Sequence, residues 1–156
     1  IPPNLFGDND NYHQKNSHVI ASLIRKIKTA KINKKKSITL WGDGTPKREF
    51  MYVEDLVINS IKILKISKKN YWKNFDYSNS HLNIGSGYEI SIINLAKMIC
   101  KIVNYFPIIK FNKKMPNGVK RKIMSSYKIK KILKSYKQYN KKIFYNKLEK
   151  IINNYN

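Results

Sequence analysis

The run Trp41-Gly-Asp-Gly-Thr-Pro-Lys-Arg-Glu-Phe50, continued by Met51-Tyr-Val-Glu-Asp55, restricts the fold more than any other stretch of the chain. Ahead of it, residues 37–41 have the β-branched and aromatic content of a strand. Gly42, Gly44 and Pro46 then supply turn chemistry that reverses it. Residues 50–53 resume as a strand and hand over to Glu54 and Asp55, acidic residues suited to the positive end of a helix. The expectation is a hairpin with Arg48 at its rim. A guanidinium offers two parallel donors to one phosphate, so such a rim suits a phosphate ester.

The elements around it follow from spacing. Residues 1–6 read as the end of a strand that leads into a polar loop, 7–16. From His18 onward Val19, Ile20, Leu23, Ile24 and Ile27 recur at helical intervals, with Ser17 as the expected N-cap. A second helix carries Leu56, Val57, Ile61 and Leu64 on one face. Residues 68–79 are polar and aromatic, and read as a mobile surface loop. Residues 81–84 read as a short strand ended by Gly85. Ser91 caps a third helix with the stripe Ile92, Leu95, Ala96, Ile99 and Val103, and 107–111 form a further strand. Beyond Lys122 short helices are expected near 127–133 and 148–155. Past Glu89 only Glu149 is acidic, so like-charge repulsion is expected to loosen this end. Mixed short elements without a βαβ run argue an α+β arrangement for the chain itself.

Composition excludes several classes. At 156 residues the chain suits one domain, and no apolar run reaches the length of a membrane span. Its single cysteine, Cys100, lies in a helical apolar pattern, which excludes an internal disulfide and fits a reducing, cytoplasmic setting. One Cys and three scattered His argue against a metal site. The net charge of +23 admits a nucleic-acid or anionic-membrane partner. The lysine runs, however, are short and dispersed, with no nucleic-acid-binding signature around them. We expect neither specific nucleic-acid binding nor a membrane partner; the charge favours anionic sugar nucleotides only in a general way.

Five segments, taken in order, carry a family resemblance: Pro2-Pro-Asn-Leu-Phe-Gly-Asp8, Asn11-Tyr-His-Gln-Lys-Asn-Ser-His18, the Trp41–Asp55 run, Ser80-His-Leu-Asn-Ile-Gly-Ser86 and Pro116-Asn-Gly-Val-Lys-Arg-Lys122. Together they resemble the GDP-L-fucose synthases, NADP-dependent epimerase-reductases of the extended short-chain dehydrogenase/reductase superfamily. The resemblance implies an α/β protein with an NAD(P)-binding Rossmann unit. No Gly-rich fingerprint is present here, since Gly85-Ser-Gly87 lacks the third glycine. Nor does a Tyr-x-x-x-Lys pair stand where the family's reducing pair would. The chain therefore reads as a C-terminal part, with residues 1–122 as substrate-binding portion, 123–156 as a basic helical tail, and no reductase activity of its own.

The resemblance also implies roles. His18 in Asn-Ser-His-Val corresponds to the acid that protonates the sugar during epimerisation of a 4-keto-6-deoxy-mannose nucleotide, with a partner Cys outside this chain. Imidazole titrates near neutrality and suits that task; the alternative is a helix-capping histidine. Asn4, Leu5 and His18 match positions along the nicotinamide of NADP. Lys26, Trp41 and Arg48 match positions that contact the diphosphate and nucleotide of a GDP-sugar, although Trp41 equally suits a core anchor. Asn117 stands where the family has Asp, keeping an acceptor oxygen and losing the charge. Arg121 matches a phosphate-holding position in related epimerases. The whole enzyme is expected to be a homodimer.

Overall fold

Two sheets share the strands that the sequence places side by side. In the computed structural model, which describes residues 1–75 and 77–155, β1 (Asn4–Phe6) pairs in parallel with β3 (Lys47–Tyr52), and β2 (Ser37–Trp41) pairs in parallel with β5 (Ile108–Asn112). β3 also pairs antiparallel with β4 (Glu89–Ser91) and in parallel with β6 (Arg121–Lys122). β2 and β3 are thus not the two arms of a hairpin. Each finds its ladder elsewhere, and residues 42–46 carry the chain from one sheet to the other. The Gly42 N–H extends the β2–β5 ladder to the Asn112 carbonyl at 3.0 Å. The carbonyls of Gly44 and Pro46 accept from Ile93 and Ile92 at 2.9 and 3.1 Å, satisfying two donors that the start of helix α4 (Ile92–Val103) would leave orphaned. The parallel pairings join strands dozens of residues apart, which is why no local βαβ pattern announces them.

Helix α1 (Val19–Ile32) buries Ile20, Leu23, Ile24 and Ile27, and packs with α4 and with α6 (Lys141–Asn154) into one core. Ser91 caps α4 as expected, accepting from the Asn94 N–H at 3.3 Å. A second cluster gathers Met51, Leu82, Ile84, Ile129 and Tyr136, with Ile129 coming from α5 (Tyr127–Ile132). Residues 81–84 form no strand ladder; they run extended beside the N-terminus, where Ile84 N–H reaches the Ile1 carbonyl at 3.0 Å. The segment expected as a loop holds helix α3 (Lys68–Trp72), capped by Ser67, and a 3₁₀ turn at Tyr77–Asn79; its Asp76 lies outside the described residues. Helix α2 (Val53–Leu64) keeps the predicted acidic first turn but buries none of its residues.

The basic tail does not stand off from the body. Helix α6 begins at Lys141, earlier than its apolar spacing indicates, because the Asn140 side chain caps it through the Ile143 N–H at 2.9 Å. Phe144, Leu148, Ile151 and Ile152 enter the main core. Its lysines meet the few available acids: Lys147 pairs with Asp55 at 2.8 Å, and Lys150 lies 3.5 Å from both Asp8 and Glu54. Tyr139, in the connection before α6, donates its hydroxyl proton to Asp55; burial, and next this bond, raise its pKa. Apolar burial and these pairs outweigh the repulsion expected from composition. Among the described residues, no helix is long and apolar enough to cross a membrane.

At the centre of β3 sits a fully buried carboxylate, Glu49. Its oxygens accept from the backbone N–H groups of Gly87 and Met124, each at 2.6 Å, and from the Ser86 hydroxyl at 3.4 Å. Glu49→Gln exchanges one acceptor for a donor facing an N–H. We expect it to cost about 2 kcal/mol or more, read as a lowered urea midpoint; an unchanged midpoint would contradict this account. Asp8 supplies a pH prediction. The Tyr52 hydroxyl at 2.6 Å, then the Asn154 amide and the Lys150 charge, hold its carboxyl below the usual range. A depressed folded pKa gives stability that is present above the unfolded value of about 3.9 and lost as pH falls through the folded one. Parent stability should therefore drop more steeply on acidification than that of Asp8→Asn; parallel curves would remove Asp8 from the balance.

Candidate functional site

His18, not Ser17, is the N-cap residue of α1, in extended conformation at φ −68° and ψ 168°. Its imidazole makes no capping hydrogen bond. The ring is exposed and lines a cavity of about 450 Å³ together with Asn4, Leu5, Asp8 and Asp10. β1 positions two of these. The Asn4 amide donates to the Glu49 carbonyl at 3.0 Å across the β1–β3 ladder, and Leu5 packs half-buried against the second core cluster. The three residues predicted from Asn4, Leu5 and His18 are therefore neighbours on one wall.

A second cavity, about 300 Å³, shares the Val19 side of that wall. Val19, Ser22 and Lys26 fall on one stripe of α1 at helical spacing and form its floor. Lys26 donates to the Thr39 carbonyl at 3.3 Å. Burial of its ammonium, and next the neighbouring Arg25 charge, lower its pKa. Trp41 ends β2, where Ile38 and Leu40 point into the core and Trp41 remains 62% exposed. Its indole is thus an open platform on the cavity rim rather than a core anchor. Arg48 comes from β3, its guanidinium donating to the Lys47 carbonyl at 2.8 Å.

Asn117 closes the other side. Its amide oxygen accepts from the Asp43 N–H at 2.7 Å, tying the 116–118 turn to the 42–46 turn. Gly42 adopts φ +68°, and any Cβ there would run into that same carboxamide. Either Asn or Asp provides the acceptor that this junction needs, so the departure from the family residue leaves the local structure intact. Lys26, Trp41, Arg48 and Asn117 are brought to one cavity whose lining contains three cations with Lys15 and no carboxylate. Such a lining favours an anionic ligand, with the indole offering a face to a flat ring.

Arg121 is set apart. Its Nε donates to Glu89 at 2.7 Å, with Lys47 3.8 Å from the other carboxylate oxygen. The Arg121 bond holds the Glu89 carboxyl below its usual range. Arg121 does not line the cavity. Nothing in the sequence distinguishes Lys15 from the other lysines of so basic a chain, nor marks Arg25, which fastens the 7–16 loop by donating to the Gln14 carbonyl at 3.3 Å. Glu49 did carry a signal: an acid directly preceding Phe50-Met-Tyr52 is a charge inside a core strand.

Gly42→Ala should disturb this junction on two counts, a left-handed backbone and a collision with Asn117. The expected loss is about 1–3 kcal/mol of stability together with altered Trp41 emission. A variant with parent stability and an unchanged spectrum would show that the junction is not as described.

The first 85 residues match the model of the NAD dependent epimerase/dehydratase family. The chain is similar to the GDP-L-fucose synthase of Escherichia coli (strain K12), 36% identical over 124 residues, which cover 80% of this chain and 39% of that protein. It is 40% identical over 130 residues to the GDP-L-fucose synthase of Sinorhizobium fredii, covering 83% of this chain and 38% of that one. The fold superposes, at TM-score 0.77 and 22% identity, on a GDP-L-fucose synthetase from Naegleria fowleri bound to NADP, covering 97% of this chain and 44% of that chain. The chain thus spans about two fifths of the length of the curated relatives it matches. The matched residues 1–85 contain β1, the His18 turn, α1 and the Trp41–Arg48 rim, and on that ground the chain belongs to the NAD dependent epimerase/dehydratase family.

Proposed function

We propose that this chain is the substrate-binding portion of an NADP-dependent epimerase-reductase that converts GDP-4-keto-6-deoxy-D-mannose to GDP-L-fucose. The observation that carries the reading is the convergence of Lys26, Trp41, Arg48 and Asn117 on one cavity beside the wall of Asn4, Leu5 and His18. In this reading Arg48 and Lys26 hold the diphosphate, Trp41 and Asn117 meet the nucleoside, and the sugar extends past Val19 towards His18. Arg121 acts at one remove, by fixing Glu89 and with it the strand beside Lys47 and Arg48. Residues 1–122 form the binding portion, and 123–156 buttress it through α6. The complete enzyme works as a homodimer in the cytoplasm.

A 4-keto group acidifies the hydrogens on both flanking carbons, because the resulting anion delocalises onto oxygen. Inversion at each carbon needs a proton removed on one face and returned on the other. His18, unspent on helix capping, returns it. NADPH supplies the hydride for the later reduction of the ketone. Asn4, Leu5 and His18 fit its nicotinamide end. The Gly85-Ser-Gly87 turn does not fit its pyrophosphate, since the Gly87 N–H is already committed to Glu49. That group is held by residues beyond the portion spanned here, so the 156-residue chain by itself should show no reductase turnover and negligible NADPH affinity.

The test uses an enzyme completed with the remaining portion of the fold. His18→Asn should abolish solvent deuterium incorporation at one flanking carbon and leave cofactor affinity within about twofold. Deuterium exchange equal to that of the parent would return His18 to a structural role.

A further inference from the structure

Purines of the same shape are told apart by the donors and acceptors on their edges. Guanine presents a 2-amino group beside its N1–H, adjacent donors that a carboxylate accepts together. Hypoxanthine has the same rings and the same 6-keto oxygen but no 2-amino group. A cavity that selects guanine over hypoxanthine therefore needs an acceptor aimed at that group. Among the described residues, the lining of the smaller cavity includes no carboxylate. Its cations and the Trp41 indole N–H are donors only. Gln14, Ser17 and Ser22 offer single neutral oxygens, and these lie on the α1 side of the cavity.

Beside the indole the candidate acceptor is Asn117, and its oxygen is already engaged. The Asp43 N–H donates to it at 2.7 Å, and only the oxygen of a carboxamide can accept from a backbone N–H, which fixes the orientation of the amide. Gly42, the residue directly after Trp41, backs onto the same oxygen, and a Cβ there would stand 3.2 Å from the Asn117 Cα. A base lying on the indole thus has an edge next to this carboxamide. What Asn117 has left to offer such an edge is Nδ2, a donor. Asp43 does not replace it: that residue is outside the lining, and its Oδ1 accepts the Thr45 N–H at 2.9 Å and the Thr45 hydroxyl at 2.7 Å.

We infer that Asn117 sets base selectivity in this cavity, and that it leaves the purine 2-amino group unread, so that guanine and hypoxanthine nucleoside diphosphates are accepted alike. The inference rests on the proposed function for the presence of a nucleoside diphosphate here. Affinity then comes from features the two ligands share. The diphosphate meets Lys26 and Arg48, and the base stacks on the Trp41 indole, a contact indifferent to what the edge carries. The 6-keto oxygen, present in both, suits the Asn117 Nδ2 donor. An aspartate at this position would keep one oxygen for the Asp43 N–H and turn the other into the missing acceptor.

The experiment titrates the 156-residue chain with GDP, inosine diphosphate and inorganic pyrophosphate by calorimetry, and repeats the series with Asn117→Asp. For the parent, the Kd values of GDP and inosine diphosphate should agree within about twofold, both tighter than pyrophosphate. Asn117→Asp places a negative charge near the cations and should weaken both nucleotides, yet shift their ratio towards GDP by about fivefold or more. The ratio is the readout because a general loss of charge attraction or of structure weakens both ligands together. A preference for GDP of about fivefold or more in the parent would overturn the inference without recourse to any variant. So would an Asn117→Asp protein, folded by circular dichroism, whose ratio stays at that of the parent. Pyrophosphate binding as tightly as either nucleotide would be a different failure. It would remove the nucleoside from the cavity and overturn the proposed function, and this inference with it.

Discussion

A carboxylate can be kept away from water only where enough donors surround it, and the architecture of this chain is arranged around one such case. Glu49 draws the Gly87 and Met124 N–H groups and the Ser86 hydroxyl onto two oxygens in the middle of β3. Those donors come from two separate stretches of chain, so one side chain ties the strand to the 85–87 turn and to the segment after β6. Gly85 passes so close that an added Cβ would meet the Glu49 carboxylate. With the strand fixed in this way, alternation does the rest. Phe50 and Tyr52 enter the main core, Met51 joins the second cluster, and Arg48 emerges at the rim where the β-sheet meets the 42–46 turn. The position of the guanidinium is therefore a consequence of a buried charge on the next residue.

The imbalance between 32 basic and 9 acidic residues gives each acid unusual influence. Asp8, Glu54 and Asp55 receive the tail helix through Lys147 and Lys150, and Glu89 receives Lys47 and Arg121. These pairs are partly exposed and individually modest. Their effect is one of placement. Asp8 lies on the wall with His18 while its oxygens accept from Tyr52 and from Asn154 near the end of α6. The basic tail, whose composition argues for detachment, thereby reaches a residue that lines the same cavity as the imidazole. Lys15, Lys26 and Arg48, which face the smaller cavity, form no ion pair with these four acids.

Local signals in the sequence located α1, β2, α4 and the start of α2 closely, because caps, acidic first turns and apolar periodicity are short-range features. Long-range pairing was not legible. The Gly/Pro turn after Trp41 has the chemistry of a hairpin, yet β2 takes β5 as its partner and β3 takes β1, choices set by strands far away in sequence. The start of α6 was missed because a polar Asn140 cap, not an apolar repeat, defines it. The residues of the site were legible through family motifs rather than through their own chemistry. Asn4, Leu5, His18, Lys26, Trp41, Arg48 and Asn117 do gather on two adjoining cavities, whereas Arg121 is drawn off by Glu89, an acid too distant in sequence to suggest the pairing. Lys15 carries no distinguishing pattern at all in so lysine-rich a chain.

The most direct test of the central claim, that one cavity gathers the residues proposed to hold the nucleotide, is a nuclear magnetic resonance titration of the isotope-labelled chain with GDP at moderate salt. The account predicts shifts concentrated on the Trp41 indole, the Arg48 and Asn117 backbone amides and the α1 stripe of Val19, Ser22 and Lys26. GMP should produce a weaker response over the same residues, since it presents one phosphate fewer to the cations. Shifts scattered over the lysines of α5 and α6, or equal responses to GDP and to inorganic phosphate, would contradict it and reduce the cavity to one more patch of a basic surface.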